Sequence, residues 1–273
     1  MPIITRKIEL KIVKDGLTDE EYDQQWKYLY QINNTIYQAA NRISTHCLFN
    51  DEYEMRLKLH MPRYKEIEKE LKKLDSDKKT SDKEIRDRLL NERKELDEDV
   101  KNKKKDFLQC SKQNSTYQLV SKEFKQYIPS DILANLNQKI QENYNNNQKK
   151  IESGERALST YKKGMEIPFS IRENKRLKLF IKEKGIYLKW FKEILFRLEF
   201  GKDASNNRCI VERLIESDKQ QKNKGEDYVA NNSSIKLVKN EKNTRIFLLL
   251  SIDIPAKKQV LDKDVVLGVV LGI

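Results

Sequence analysis

From residue 5 to residue 13 apolar and polar side chains alternate, with Ile8, Leu10 and Ile12 on one side and Lys7, Glu9 and Lys11 on the other. That period of two predicts a half-buried strand, which Asp15-Gly16 ends. The period then lengthens. Thr18-Asp19-Glu20-Glu21 has the form of a capping box, and an apolar stripe follows at Tyr22, Trp26, Leu29, Ile32, Ile36, Ala40 and Ile43, which predicts a long helix starting near residue 19. A second set on that helix, Tyr30, Asn34, Tyr37 and Asn41, recurs at spacings of four and three, so that two phenols and two amides share one face.

Residues 64–107 are rich in Lys, Glu and Asp, with Ile67, Leu71 and Leu74 before a break and Ile85, Leu89, Leu96, Val100 and Phe107 after it. This narrow seam predicts a coiled-coil hairpin, turning over residues 75–80, with Ser81 and Glu84 capping the returning helix. Ile128-Pro129-Ser130-Asp131 stops one helix and starts another, whose buried side is Ile132, Leu133, Leu136, Ile140 and Tyr144. The asparagine-rich stretch 143–150 reads equally as a helix end or a loop. After Gly164 the pattern changes again. Residues 178–182, 185–190, 194–200, 234–239 and 244–254 are short β-branched or aromatic runs, with Asn240-Glu241-Lys242-Asn243 as a hairpin turn. Residues 208–217 read as a short helix, 218–232 as a polar loop, and 265–273 as a further apolar strand. One strand, a helical block, then several strands is the order expected of an α+β chain whose small antiparallel β-barrel has a helical insertion after its first strand.

Charge narrows the partners. The 273 residues carry 55 basic and 43 acidic side chains, a net charge of +12, which favours a polyanion through counterion release. No apolar run approaches the roughly 20 residues needed to cross a bilayer, and residues 1–7 lack the apolar core of a secretion signal, so a cytoplasmic protein with no membrane partner is expected. Cys47, Cys110 and Cys209 form neither a disulfide set nor a paired zinc knuckle, and His46-Cys47 has no second pair to complete a metal site.

The candidate nucleic-acid contacts follow from these two readings. Tyr30, Asn34, Tyr37 and Asn41 offer groups that meet base edges or stack on bases, although the same set also suits a packing face against a neighbouring helix. Lys162, Lys163, Arg172, Arg176, Lys189 and Arg197 lie in or near the barrel segments, with Lys175 and Arg213, and are the candidate phosphate contacts.

The ordered series YKKGMEIPFSIRENKRLKLF, TRIFLLLSIDIP, AKKQVLDKD and VVLGVVLGI, after a first strand and a helical insertion, resembles the amino-terminal half of miniature type V-F CRISPR effectors and the related TnpB-like transposon-encoded nucleases. That resemblance implies a wedge domain made of residues 1–15 and 161–255, and a helical recognition lobe over 16–160. It implies a linker and the first strand of a RuvC domain, of the RNase H-like type, over 256–273. It also implies a guide RNA, a target DNA read next to a short flanking motif, and a homodimer on one guide, with base pairing supplying sequence specificity.

In that family a GxDxG sequence opens the RuvC domain, its aspartate helping to hold magnesium for catalysis. Here Val270 stands at that position and offers no oxygen. Asp253, Asp262 and Asp264 do not substitute, since Asp264 is roughly 20 Å from position 270 along an extended segment at about 3.3 Å per residue. The family's later acidic residues and zinc ribbon are not among these residues. No catalytic residue, no metal ligand and no cofactor of its own is therefore expected. The resemblance implies a nuclease-inactive RNA-guided DNA-binding protein serving transcriptional control with a partner from the transcription machinery. Two other readings stay open: part of a split or truncated RNA-guided endonuclease, and a coiled-coil interaction protein acting through residues 64–107.

Overall fold

The computed structural model describes residues 2–76, 83–108, 111–172, 177–183, 185–201, 204–220, 228–240 and 243–254. The expected hairpin cap at Ser81, the side chain of Phe107, Cys110, Lys175, Arg176, the Glu241-Lys242 turn and everything from Pro255 on, Val270 included, lie outside them. In chain order the elements are β1 (Ile3–Ile12), α1 (Asp19–Leu59), α2 (Pro62–Ser76), α3 (Lys83–Leu108), α4 (Lys112–Phe124), α5 (Ser130–Glu152), β2 (Ile167–Phe169), β3 (Lys178–Lys182), β4 (Gly185–Lys189), β5 (Leu195–Glu199), α6 (Ala204–Gln220), β6 (Val229–Ala230), β7 (Ser233–Lys239) and β8 (Thr244–Asp253). The chain is α+β and divides into two units, one of Met1–Val13, Ser170–Ser233 and Arg245–Ile273, the other of Lys14–Phe169 and Ser234–Thr244.

The first unit is built on the path β8-β1-β5-β4-β3, antiparallel throughout and curled as a half-barrel, with β6 added beside β8. Among the described residues β3 ends the path, so the sheet stays open where the sequence suggested a barrel. β1 sits between strands that come much later in the chain: Leu10 pairs with Leu198 on one side and with Ile246 on the other. Its alternation explains why. Ile8, Leu10 and Ile12 are buried with Phe196, Leu198, Leu188, Leu248 and Leu250, and burying each such side chain contributes about 1.5–3 kcal/mol. Trp190 closes this core edge-on to Phe191, with ring centroids 5.2 Å apart.

The second unit is helical. Thr18 and Glu21 exchange the two hydrogen bonds of a capping box, 2.8 and 3.2 Å long, and α1 then runs for 41 residues. Leu29, Ile32, Ile36, Ala40, Ile43 and Cys47 are fully buried along it, against α4 and α5. α5 continues through the asparagines to Glu152 because their amides find local partners: Asn147 donates to the Asn143 carbonyl at 2.7 Å. α2 and α3 pair over Ile67, Leu71 and Leu89. Their charges lock across the seam, Arg63 donating to both oxygens of Glu92 at 2.6 and 2.8 Å and Arg93 to Glu68 at 3.0 Å. Such exposed pairs add little stability but fix the register of the two helices.

Candidate nucleic-acid interface

Within the second unit, α1 presents Tyr30, Asn34, Tyr37 and Asn41 in environments that change along the helix. Tyr30 is exposed, stacks on Trp26 with centroids 5.6 Å apart, and donates its hydroxyl to Thr244 Oγ1 at 2.7 Å. Asn34 is exposed, and Tyr37 is half-buried with its hydroxyl accepting from Gln38 at 3.4 Å. Asn41 differs. Its amide nitrogen donates to the Tyr161 carbonyl at 2.9 Å and its oxygen accepts from the Tyr161 backbone nitrogen at 2.7 Å, so both its polar atoms are engaged by main chain. Ser44 adds a bond to the Ser159 carbonyl at 3.1 Å, and Asn143 one to the Tyr161 hydroxyl at 2.8 Å.

These bonds fasten the segment that leads directly into Lys162 and Lys163, both exposed ahead of a turn that Gly164 makes at φ +86°. The structure therefore brings Lys162 and Lys163 beside the polar face of α1. The spacing of Asn41 revealed its face but not this role, because side-chain capture of backbone across 120 residues leaves no local pattern.

In the first unit, Lys189 and Arg197 fall on the outer face of the sheet, and Arg172 is exposed in the turn that precedes β3. Register aligns Lys11, Arg197, Tyr187 and Phe180 in one transverse row on that face, since Lys11 pairs with Arg197, Arg197 with Tyr187, and Tyr187 with Phe180. Lys178 lies directly opposite Lys189 in the next outward-facing row. Sequence reading missed Lys11, Lys178, Phe180 and Tyr187. Their alternation was visible, but only strand pairing shows that they meet.

Two like-charged pairs, Lys11 with Arg197 and Lys178 with Lys189, thus face each other across neighbouring strands, where Cβ atoms are about 5 Å apart and the repulsion disfavours the sheet. Part of it is offset: Arg197 reaches Glu199 at 3.4 Å, and Lys189 reaches Glu193 at 2.5 Å. Glu9, which pairs with Glu199, is gripped by Nε and Nη2 of Arg245, and the hydrogen bond from Arg245 holds the Glu9 carboxyl below the usual carboxylate range. Lys11 and Lys178 make no salt bridge among the described residues. Aromatic rings are interleaved with these cations: Lys7 lies 4.3 Å and Arg245 5.2 Å from the centre of the Phe247 ring. An exposed face of cations and half-buried aromatic rings has the chemistry to hold phosphates and stack on bases.

Among the described residues no three His, Cys, Asp or Glu side chains gather as metal ligands, and no helix is long and apolar enough to cross a membrane. Val270, where the family resemblance places a magnesium-holding aspartate, has no donor oxygen and lies outside the described residues.

No family model and no curated protein matches the chain. Among solved structures it is similar to a chain of the "Cryo-EM structure of the Cas12f1-sgRNA-target DNA complex", at 14% identity and a TM-score of 0.46. The similarity covers 93% of this chain and 59% of that one.

Proposed function

We propose that the chain is an RNA-guided DNA-binding protein, nuclease-inactive as it stands, which holds a guide RNA and a target duplex next to a short flanking motif and acts in transcriptional control. The observation that carries the nucleic-acid part is the outer row Lys11, Arg197, Tyr187 and Phe180 beside the opposed Lys178 and Lys189. Like charges facing each other on a sheet are costly in the free protein and useful once a phosphate lies between them. The guided part is supported by the ordered series of sequence segments, and by a first strand built into a sheet of late strands around a helical insertion.

On this reading Tyr30, Asn34 and Tyr37, with Lys162 and Lys163, contact the duplex beside the flanking motif, and Arg172, Arg176, Lys189 and Arg197 hold guide phosphates. Asn41 acts by fixing the lysine segment rather than by touching a base. Inactivity follows from Val270.

Purification of the chain from an expression host carrying its native locus tests the proposal. Structured RNA extracted with the protein, and retention of a matching duplex only when that RNA is present, is the expected result. Protein that stays free of nucleic acid at low salt and ignores the locus-encoded RNA would overturn the reading, and Mg-dependent cleavage by the purified chain would overturn its inactive state.

A further inference from the structure

The outer face of the first unit carries a feature that phosphate binding alone does not explain. Phe180, on the last strand of the path, and Tyr187 are cross-strand partners whose rings lie nearly parallel, with centroids 5.8 Å apart and planes 22° apart. Tyr187 does not stand upright on the sheet. A Cβ placed on Gly185, two residues back on the same strand face, would lie 2.7 Å from Cε2 of Tyr187 and 2.9 Å from its hydroxyl oxygen. The ring is therefore folded back along β4 over the bare glycine, in space that any other residue would fill.

Both rings are only half-buried. Cations bracket them: Lys178 and Lys182 flank Phe180 along β3, Lys189 follows Tyr187 along β4, and Arg197 and Lys11 continue the row. Of the carboxylates nearby, Glu9, Glu193 and Glu199 are paired with Arg245, Lys189 and Arg197 respectively, and Glu183 is exposed in the turn after Lys182; Lys11, Lys178 and Lys182 are held in no salt bridge among the described residues.

We propose that Phe180 and Tyr187, seated by Gly185, are a stacking platform for unpaired nucleotides, with Lys178, Lys182 and Lys11 holding the adjoining phosphates. This rests on the reading of the chain as a nucleic-acid binder and adds to it a selectivity for single strands. Bases inside a duplex are stacked on one another and offer a flat protein surface only their edges, whereas an unpaired base offers its π face, which is the group a half-exposed aromatic pair recognises. Charge complementarity decides the occupant. An apolar peptide would leave the lysines around the rings unpartnered, but a polynucleotide supplies an anion beside each base.

The experiment uses the full chain and a short fluorescent oligouridylate, its deoxy counterpart, and a blunt duplex of the same length, with binding followed by anisotropy across a salt series. Phe180→Leu and Tyr187→Leu keep the face apolar, and each is expected to weaken single-strand binding about tenfold while leaving duplex binding and the salt slope unchanged, because stacking is lost and no charge is. Gly185→Ala keeps both aromatic residues but displaces the Tyr187 ring, and is expected to give the same loss. The ribose and deoxyribose arms show whether the strand is RNA or DNA.

A second measurement avoids variants that fold poorly: wild-type protein irradiated with 5-iodouridine RNA is expected to give adducts in the peptides containing Phe180 or Tyr187. Wild-type protein that binds none of the three probes would overturn both the platform and the nucleic-acid reading. Salt-dependent binding that the three substitutions do not change, duplex binding as tight as single-strand binding, or adducts only in other peptides would overturn the platform alone.

Discussion

Asn41 and Tyr161 exchange two hydrogen bonds, side-chain amide to main chain, of the kind one β-strand makes with another. The pair lies part-buried beside α1, so replacing Asn41 with Ala leaves both a backbone donor and a backbone acceptor without their partner. A loss of about 1–3 kcal/mol is expected, read as a lower urea midpoint with unchanged slope. Asn41→Asp keeps the acceptor but sets a carboxylate against the Tyr161 carbonyl, and should be destabilising as well. Any fall in nucleic-acid affinity should then accompany loss of order in the segment of Lys162 and Lys163, visible as faster backbone hydrogen exchange there.

His46 contributes a pH dependence. Burial first, then the neighbouring cations Arg42 and Lys112, push its imidazole pKa below the ordinary value, and Ser115 Oγ lies 3.4 Å from Nε2. Because the folded value is depressed, the unfolded chain binds the proton more readily. Stability is full above the unfolded value of about 6.5 and falls as pH drops below it towards the folded value. Urea unfolding at a series of pH values should show this decline on the acid side of neutrality, and His46→Gln should remove the part of it that begins near the free-histidine range, leaving the carboxylates to act at lower pH.

The helical hairpin stands or falls on a short seam. Leu89 is fully buried against Ile67 and Leu71, and few other apolar groups share that core. Leu89→Ala should cost about 2–5 kcal/mol locally and open residues 62–108 to limited proteolysis. The first unit, whose core contains none of these side chains, should keep its protection, and mass mapping of the early cleavage products distinguishes local opening from global unfolding.

Cysteine reactivity offers a further check of burial. The Cys47 thiol is fully buried on α1 and its pKa is pushed up to about 11 by that burial, whereas Cys209 is exposed on α6. The thiolate is the reactive form, so iodoacetamide at neutral pH should modify the peptide with Cys209 and spare the one with Cys47 until the protein is denatured. Fast native labelling of Cys47 would show that the α1 core is looser than described.

Much of the architecture could be read from local periodicity because each element carries its own burial pattern. Ile8, Leu10 and Ile12 announced β1, Thr18 with Glu21 announced the start of α1, and Leu71 with Leu89 announced the hairpin seam. The pattern at asparagines 143–150 was silent, since helix or loop there depends on side-chain partners such as Asn147 with Asn143. The candidate interface was half legible. Lys189 and Arg197 could be named from charge, but Tyr187, Phe180 and Lys11 join them only through strand register, and register is set by the opposite, buried face of the sheet. Asn41 shows the converse, a residue with the right chemistry for a base whose hydrogen-bonding capacity is taken up by the fold.

Lys11 and Arg197 should separate stability from binding. They face each other across β1 and β5, and Glu199 reaches only Arg197 while Glu9 is held by Arg245. Lys11→Gln removes a like-charge repulsion without touching the core, so stability should stay within about 0.5 kcal/mol of wild type or rise by a few tenths. The same change deletes a proposed phosphate contact. Affinity for polynucleotides should fall for every sequence alike, and the slope of log affinity against log salt should become shallower by about one. A site retained only for folding would not behave in this way: its removal would lower stability and leave the salt slope where it was. Thermal midpoint and salt slope measured on the same preparation therefore decide whether this row of the sheet is there to fold or to bind.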